Sequence, residues 1–235
     1  MNETLKRALS GVVYVAIMWL GTSYSEATFS LLFAVLGVIS IYEMWKLRKG
    51  KTKVLAFLYV LIPFFIIQLF GMTEHDYPNS PFDPSHILFM FVLTWTFDTF
   101  AYLFGVRFGK TKIMPSVSPK KSWEGFVGGF IFTIISAYLM VSYFPSIELN
   151  LLTNKYAFWL VSTFSFPSIE LNQAIGISLF LPFTATLGDF IESYYKRQAG
   201  VKDSGDFIPG HGGMLDRMDA FMITIPVLYI YLHII

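Results

Sequence analysis

Apolar residues run along this chain in long blocks, separated by short polar segments that carry most of its charge. The blocks cover residues 8–25, 27–42, 54–73, 85–106, 125–147, 171–188 and 220–235, and only Asp98 interrupts the fourth. Each approaches the roughly 20 mostly apolar residues that a helix needs to cross a bilayer. The pattern predicts an all-α, polytopic transmembrane bundle of about seven spans. A shorter run, residues 156–169, follows Asn154 and Lys155 and is expected to lie in the outer interface or to re-enter. The heptapeptide FPSIELN brackets it, once at 144–150 and again at 166–172. That repeat is read as a local duplication without a chemical role. With no other repeat in sight, residues 1–235 are expected to form one integral membrane domain, with the chemistry in 85–235 rather than in helices 1–84.

Composition supports this picture. Of 235 residues, 54% are hydrophobic and 14% charged, with a mean hydropathy of +0.57. A soluble domain carries about a quarter charged residues, so most of this surface does not face water. The absence of cysteine excludes a disulfide scaffold and a cysteine zinc site. Lys6 and Arg7 precede the first block, but no small-residue cleavage site follows, so this helix is expected to be retained.

Basic residues sort by loop. Lys46, Arg48, Lys49, Lys51 and Lys53 follow the second block; Arg107, Lys110, Lys112, Lys120 and Lys121 follow the fourth; Lys196, Arg197, Lys202 and Arg217 follow the sixth. With Lys6 and Arg7, every basic residue except Lys155 then lies on one side. The positive-inside rule makes that side cytoplasmic, with the N-terminus inside and the C-terminus outside.

Several polar residues sit where lipid should be, and ionisable groups at that depth are usually functional. Asp98 lies roughly 12 Å into its helix, at about 1.5 Å per residue. Asp189 and Glu192 are three residues apart at the inner end of the sixth span and share a helix face. Asp216 and Asp219 repeat that spacing at the start of the seventh. Four carboxylates so close must be protonated, paired with Lys196, Arg197 and Arg217, or neutralised by a hard cation such as Mg²⁺. The loop between them, residues 198–213, is rich in glycine and is expected to be neither helix nor strand. Its backbone N–H groups can cradle phosphate, Lys202 adds charge, and His211 stands among its glycines. The next helix begins at once, with its N-terminal dipole also favouring an anion. A second basic loop, Pro115 to Gly125, is expected to be extended by its two prolines and brings Lys120, Lys121 and Ser122 to a helix start. Asp98 and this loop are expected to face the same cavity as the acidic helix ends. Gly125, Gly128 and Gly129 are read as close-packing positions.

The motifs Ser193-Tyr-Tyr-Lys-Arg197, Lys202-Asp-Ser-Gly205 and Pro209-Gly-His-Gly-Gly-Met-Leu-Asp-Arg-Met-Asp219 resemble the signature of the phosphatidate cytidylyltransferase family, also called CDP-diacylglycerol synthases. Phe97 to Tyr102, Gly105 to Lys110 and Ser118 to Gly125 are similar to that family too, so the resemblance covers roughly residues 95–219. It implies transfer of CMP from CTP to phosphatidate, giving CDP-diacylglycerol and pyrophosphate. It implies a metal, Mg²⁺ with or without a second cation, held by Asp189, Asp216 and Asp219, with Glu192 alongside. Lys202 and Asp203, with Asp219, would be catalytic. Lys120, Lys121, Ser122, Lys196, Arg197, Ser204, Gly205, His211, Gly212, Gly213, Arg217 and Asp98 would contact substrate. The implied partners are CTP, phosphatidate and the bilayer, with no nucleic acid; a homodimer is left open. The implied location is a bacterial inner membrane, multi-pass, with the site facing the cytoplasm. Two competing readings are a CTP-dependent enzyme acting on another lipid, such as an isoprenoid alcohol kinase or an ether-lipid cytidylyltransferase, and an ion transporter using Asp98 and the acidic pairs.

Overall fold

The computed structural model describes residues 3–72, 82–143, 166, 168–208, 210 and 212–234. Most of the re-entrant segment expected at 156–169, the whole first FPSIELN copy, Pro167 of the second and His211 lie outside the described residues. The chain divides into two compact units, one of Met1–Pro84 with Thr184–Ile235, the other Ser85–Phe183.

The first unit holds α1 (Glu3–Ser23), α2 (Glu26–Leu47), α3 (Val54–Gly71), the C-terminal half of α6 (Leu171–Gln198) and α7 (Leu215–Ile234). A capping box starts α2: the Thr28 N–H donates to Ser25 Oγ at 3.2 Å, and the Ser25 N–H donates to Thr28 Oγ1 at 3.0 Å. Such caps contribute about 1 kcal/mol. Phe29, Phe33, Leu36, Ser40, Glu43 and Leu47 form one buried stripe along α2. Gly37 of α2 and Gly71 of α3 give room to Phe64 and Phe29 respectively, so these two helices lie close. Gln68 Nε2 donates to the Ser30 carbonyl at 3.2 Å, and Phe70 meets the Tyr229 ring of α7 edge-on at 5.8 Å.

The second unit holds α4 (Ser85–Phe108), β1 (Lys112–Met114), β2 (Ser118–Ser122), α5 (Trp123–Tyr138) with a final π-helical turn (Leu139–Tyr143), and the start of α6. Gly125, Gly128 and Gly129 of α5 pack on α4, as the sequence suggests. An added methyl would strike the Ala101 carbonyl, the Phe104 ring and the Phe97 side chain respectively. The stretch expected to be merely extended goes further and pairs. β1 and β2 form an antiparallel hairpin with Lys112 opposite Ser122 and Met114 opposite Ser118. Its exit is fixed by Ser122, whose Oγ accepts the Gly125 N–H at 3.2 Å.

Among the described residues six helices, α2 to α7, are long and apolar enough to cross a membrane; the apolar part of α1, Leu9–Ser23, is shorter. Large apolar side chains are exposed along them, as a lipid-facing surface requires. The chain is a multi-pass helical membrane protein. Several helices overrun their apolar blocks, and in two of them the extension carries buried polar residues. In α6 the helix continues to Gln198 rather than stopping near 188. The reason is that Glu192, Ser193 and Lys196 keep helical spacing on a buried face, so polar residues there do not end the element. In α2 the helix continues to Leu47 and takes Glu43 into the core.

Candidate active site

The polar centre of the first unit is built where α6 approaches α7. Gly188 allows that approach: a β-carbon there would collide with the Asp219 carbonyl oxygen. The contact is held one turn deeper by the Thr184 and Thr224 hydroxyls, 2.9 Å apart, and from α3 by Tyr59, whose hydroxyl donates to the Gly188 carbonyl at 2.8 Å. The residues next to Gly188 on α6 are therefore brought beside Asp219. One carboxylate oxygen each from Asp189, Glu192 and Asp219 lies within 4.8 Å of the others. All-oxygen groups of this size suit a hard divalent cation.

The other two sides of the cluster are basic and polar. Glu192 is fully buried and pairs through Oε2 with Lys196, one turn on; its Oε1 has no hydrogen bond among the described residues. Lys196 Nζ also donates to Asp216 Oδ1 at 2.6 Å. Ser193 Oγ donates to Asp189 Oδ1 at 3.1 Å. The ion pairing that the sequence allowed is thus present in part: Lys196 links Glu192 to Asp216.

Asp216 has a different environment from its neighbours. Its Oδ2 accepts the backbone N–H groups of Ser204 and Gly213, each at 2.8 Å, and lies 3.0 Å from Ser204 Oγ. With Oδ1 on Lys196, both oxygens are engaged in holding the loop to the start of α7. The three-carboxylate cluster does not include it.

The loop from Ala199 to Met214 is irregular, as expected, with one isolated bridge between Ile208 and Gly212. It leaves α6 through Gly200 at φ +73°, a left-handed helix stop that glycine adopts without strain. There the Val201 N–H donates back to the Lys196 carbonyl at 3.1 Å, and Arg197 Nη1 donates to the Val201 carbonyl at 2.9 Å. Lys202 and Asp203 are exposed just ahead of Ser204, which is buried. Gly205 and Gly213 lie against a carboxylate that sequence reasoning missed, Glu43 of α2. Glu43 is 4% exposed. Its Oε2 accepts from Ser204 Oγ and from the Leu215 N–H, each at 2.8 Å. Its Oε1 accepts the Met214 N–H at 3.0 Å. The signal was present in the spacing: Glu43 occupies the same stripe as Phe29, Phe33, Leu36 and Ser40, where an acid has no place unless it has donors.

Of the remaining candidates, all but Arg217 belong to the second unit. Asp98 and Lys120 are exposed, Lys121 is half-buried and Ser122 is buried as the cap of α5. Lys112 Nζ donates to the Lys120 carbonyl at 3.4 Å. The Thr111 N–H donates to both Glu124 carboxylate oxygens, at 3.0 and 3.1 Å, closing the hairpin onto α5. Arg217, in the first turn of α7, is half-buried.

Comparison with known proteins agrees with these motifs. The model of the cytidylyltransferase family matches residues 6–235. Among curated proteins, the chain is similar to the phosphatidate cytidylyltransferase of Staphylococcus aureus (strain COL), 41% identical over 147 residues, which is 63% of this chain and 48% of that protein. The protein of the same name from Thermotoga maritima is 40% identical over 160 residues, 66% of this chain and 51% of the relative. The chain spans about half the length of the curated relatives it matches.

Proposed function

The chain belongs to the cytidylyltransferase family, and on that premise we propose that it transfers CMP from CTP to phosphatidate, forming CDP-diacylglycerol and pyrophosphate. The observation that carries this reading is the three-carboxylate cluster of Asp189, Glu192 and Asp219, adjoined through Lys196 and Asp216 to a loop that presents Lys202; the N–H groups of Ser204, Gly213, Met214 and Leu215 are taken by Asp216 and Glu43 and are not offered to phosphate. The names of the curated relatives point to the same substrates.

Asp189, Glu192 and Asp219 would hold Mg²⁺, which, when bound, neutralises phosphate oxygens and eases departure of pyrophosphate. The chain's own residues position and screen. Lys196 draws Glu192 and Asp216 together and offsets the acidic charge around them. Asp216 and Glu43 set the start of α7 and the loop. Lys202 and Arg217 attract the nucleotide phosphates, and Asp203, exposed beside Lys202, is assigned to the site on its family motif. Lys120, Lys121 and Ser122, with Asp98, are assigned to substrate on their family motif. A phosphatidate oxygen attacks the α-phosphorus of CTP as the bond to the β-phosphate oxygen breaks, and no base is needed because that oxygen is already anionic. Transfers of this kind depend on positioning and electrostatics more than on covalent help from the protein. The gathering of basic residues in alternate loops supports a site on the cytoplasmic face, and with α1 counted as a crossing beside the six longer helices our reading is seven spans with the N-terminus inside.

The test is product identity with purified protein in detergent, Mg²⁺, phosphatidate and CTP labelled at the α- or the γ-phosphate. Lipid labelled only from the α-position is expected. Label from the γ-position would make the protein a kinase. No transfer, with cation flux in vesicles, would make it a transporter.

A further inference from the structure

We infer that Glu43, on the second helix, is a positioning residue for this reaction: it holds the loop of residues 204–215 in its working shape. The inference rests on the proposed cytidylyl transfer for its kinetic consequence, though not for its structural one.

A carboxylate in a buried stripe of phenylalanine and leucine is unfavourable by several kcal/mol unless it is well hydrogen-bonded. Glu43 meets that condition with donors from one place alone. Its three hydrogen bonds, from Ser204 Oγ, Met214 N–H and Leu215 N–H, come from the two ends of the loop, more than 160 residues away in sequence. The loop is shaped to receive it. A methyl on Gly205 would come within 2.7 Å of Glu43 Oε1, and one on Gly213 within 2.5 Å of Oε2. Gly205 has no positive φ, so clearance for Glu43 explains its lack of a side chain where backbone conformation does not. Asp216 grips the same two places through the Ser204 and Gly213 N–H groups. Two acids on two helices thus fix one loop, and Lys202 and Asp203 project from its fixed edge. The hydrogen bonds that Glu43 accepts come from the loop and the start of α7, not from the three-carboxylate cluster, so its contribution is separable from metal binding.

The experiment compares wild type, Glu43→Gln, Glu43→Ala, Gly205→Ala and the Glu43→Ala/Gly205→Ala double variant in detergent. In Glu43→Gln, amide hydrogen exchange across residues 203–215 is expected to rise about tenfold or more, with α3 unchanged. Its kcat per folded molecule is expected to fall roughly 10- to 100-fold, while the Mg²⁺ midpoint moves less than about twofold. Gly205→Ala should lower kcat in the wild-type background and add nothing to Glu43→Ala, because the two changes act on one contact. Wild-type exchange in the loop of Glu43→Gln, a kcat within about twofold of wild type, or multiplicative effects in the double variant would overturn the inference. Should the Glu43 variants fail to fold, Gly205→Ala, which keeps the carboxylate, carries the same kinetic and exchange measurements. If wild type itself transfers no α-label, the proposed reaction falls, and the exchange comparison still decides whether Glu43 holds the loop.

Discussion

Gly188→Ala should damage the acidic cluster without touching any of its members. The added methyl has no free space, since it points into the Asp219 carbonyl oxygen. Both partners are helical main chain, so no flexible side chain can swing away. Relief requires α6 and α7 to part by about 1 Å, and overpacking of this kind costs about 1–3 kcal/mol. The parting acts directly on Asp189 and Glu192 against Asp219, whose ligand atoms now lie within 4.8 Å of one another. A displacement of about 1 Å in a positioning group lowers rate by roughly 100-fold, and the same spreading weakens cation binding. The assay is transfer of α-labelled CMP to phosphatidate across a magnesium titration, with a melting curve in the same detergent. The expected result is a folded protein, a midpoint for Mg²⁺ raised about tenfold or more, and a kcat reduced roughly 10- to 100-fold. A folded Gly188→Ala protein with the wild-type rate and the wild-type midpoint would refute the claim that this close approach builds the cluster.

Three further outcomes follow from the same geometry. Asp219→Asn should abolish turnover while the melting temperature in detergent stays near wild type; near-normal transfer would remove Asp219 from the site. Asp216→Ala should act on stability as well as rate, because it takes from Lys196 one of its two carboxylate partners and strands the N–H groups of Ser204 and Gly213. Breaking a buried charged pair costs about 3–5 kcal/mol, and partial exposure of this one puts the expected loss at the low end, read from the detergent melt. For topology, cysteine placed at Lys155 should react with an impermeant thiol reagent from outside; labelling only from the cytoplasm would invert the orientation drawn from the basic loops.

The helices were legible because apolar block length is a strong signal and lipid tolerates few alternatives. The acidic helix ends were legible too, since an i, i+3 pair of acids in an apolar context stands out. What spacing does not reveal is how four similar acids divide. Asp216 and Asp219 are indistinguishable by type. In the structure, Asp216 stands in the first turn of α7, where its carboxylate meets loop N–H groups, whereas Asp219 stands one turn further, level with Gly188. Gly188 itself is unremarkable in sequence, because only the approach of a second backbone gives it meaning. Glu43 was hidden by the hydropathy boundary, since an acid beside a basic loop reads as the end of a span. Its position on the buried stripe was the better guide. The β1–β2 hairpin was not legible because its prolines announce extension but not a partner.

The hydrogen bond from Leu215 to Glu43 spans 172 residues, and this separation bears on how the protein is made. At roughly 5–20 residues per second, α2 is synthesised and enters the membrane about 9–34 s before α7 exists. Until Ser204 is made, 161 residues after it, Glu43 has none of its final donors. The second helix must wait beside the insertion machinery, or with its acid turned toward water, until the last helix arrives. A chain that stops short of Ser204 therefore carries on α2 an acid with none of the donors that the full chain supplies.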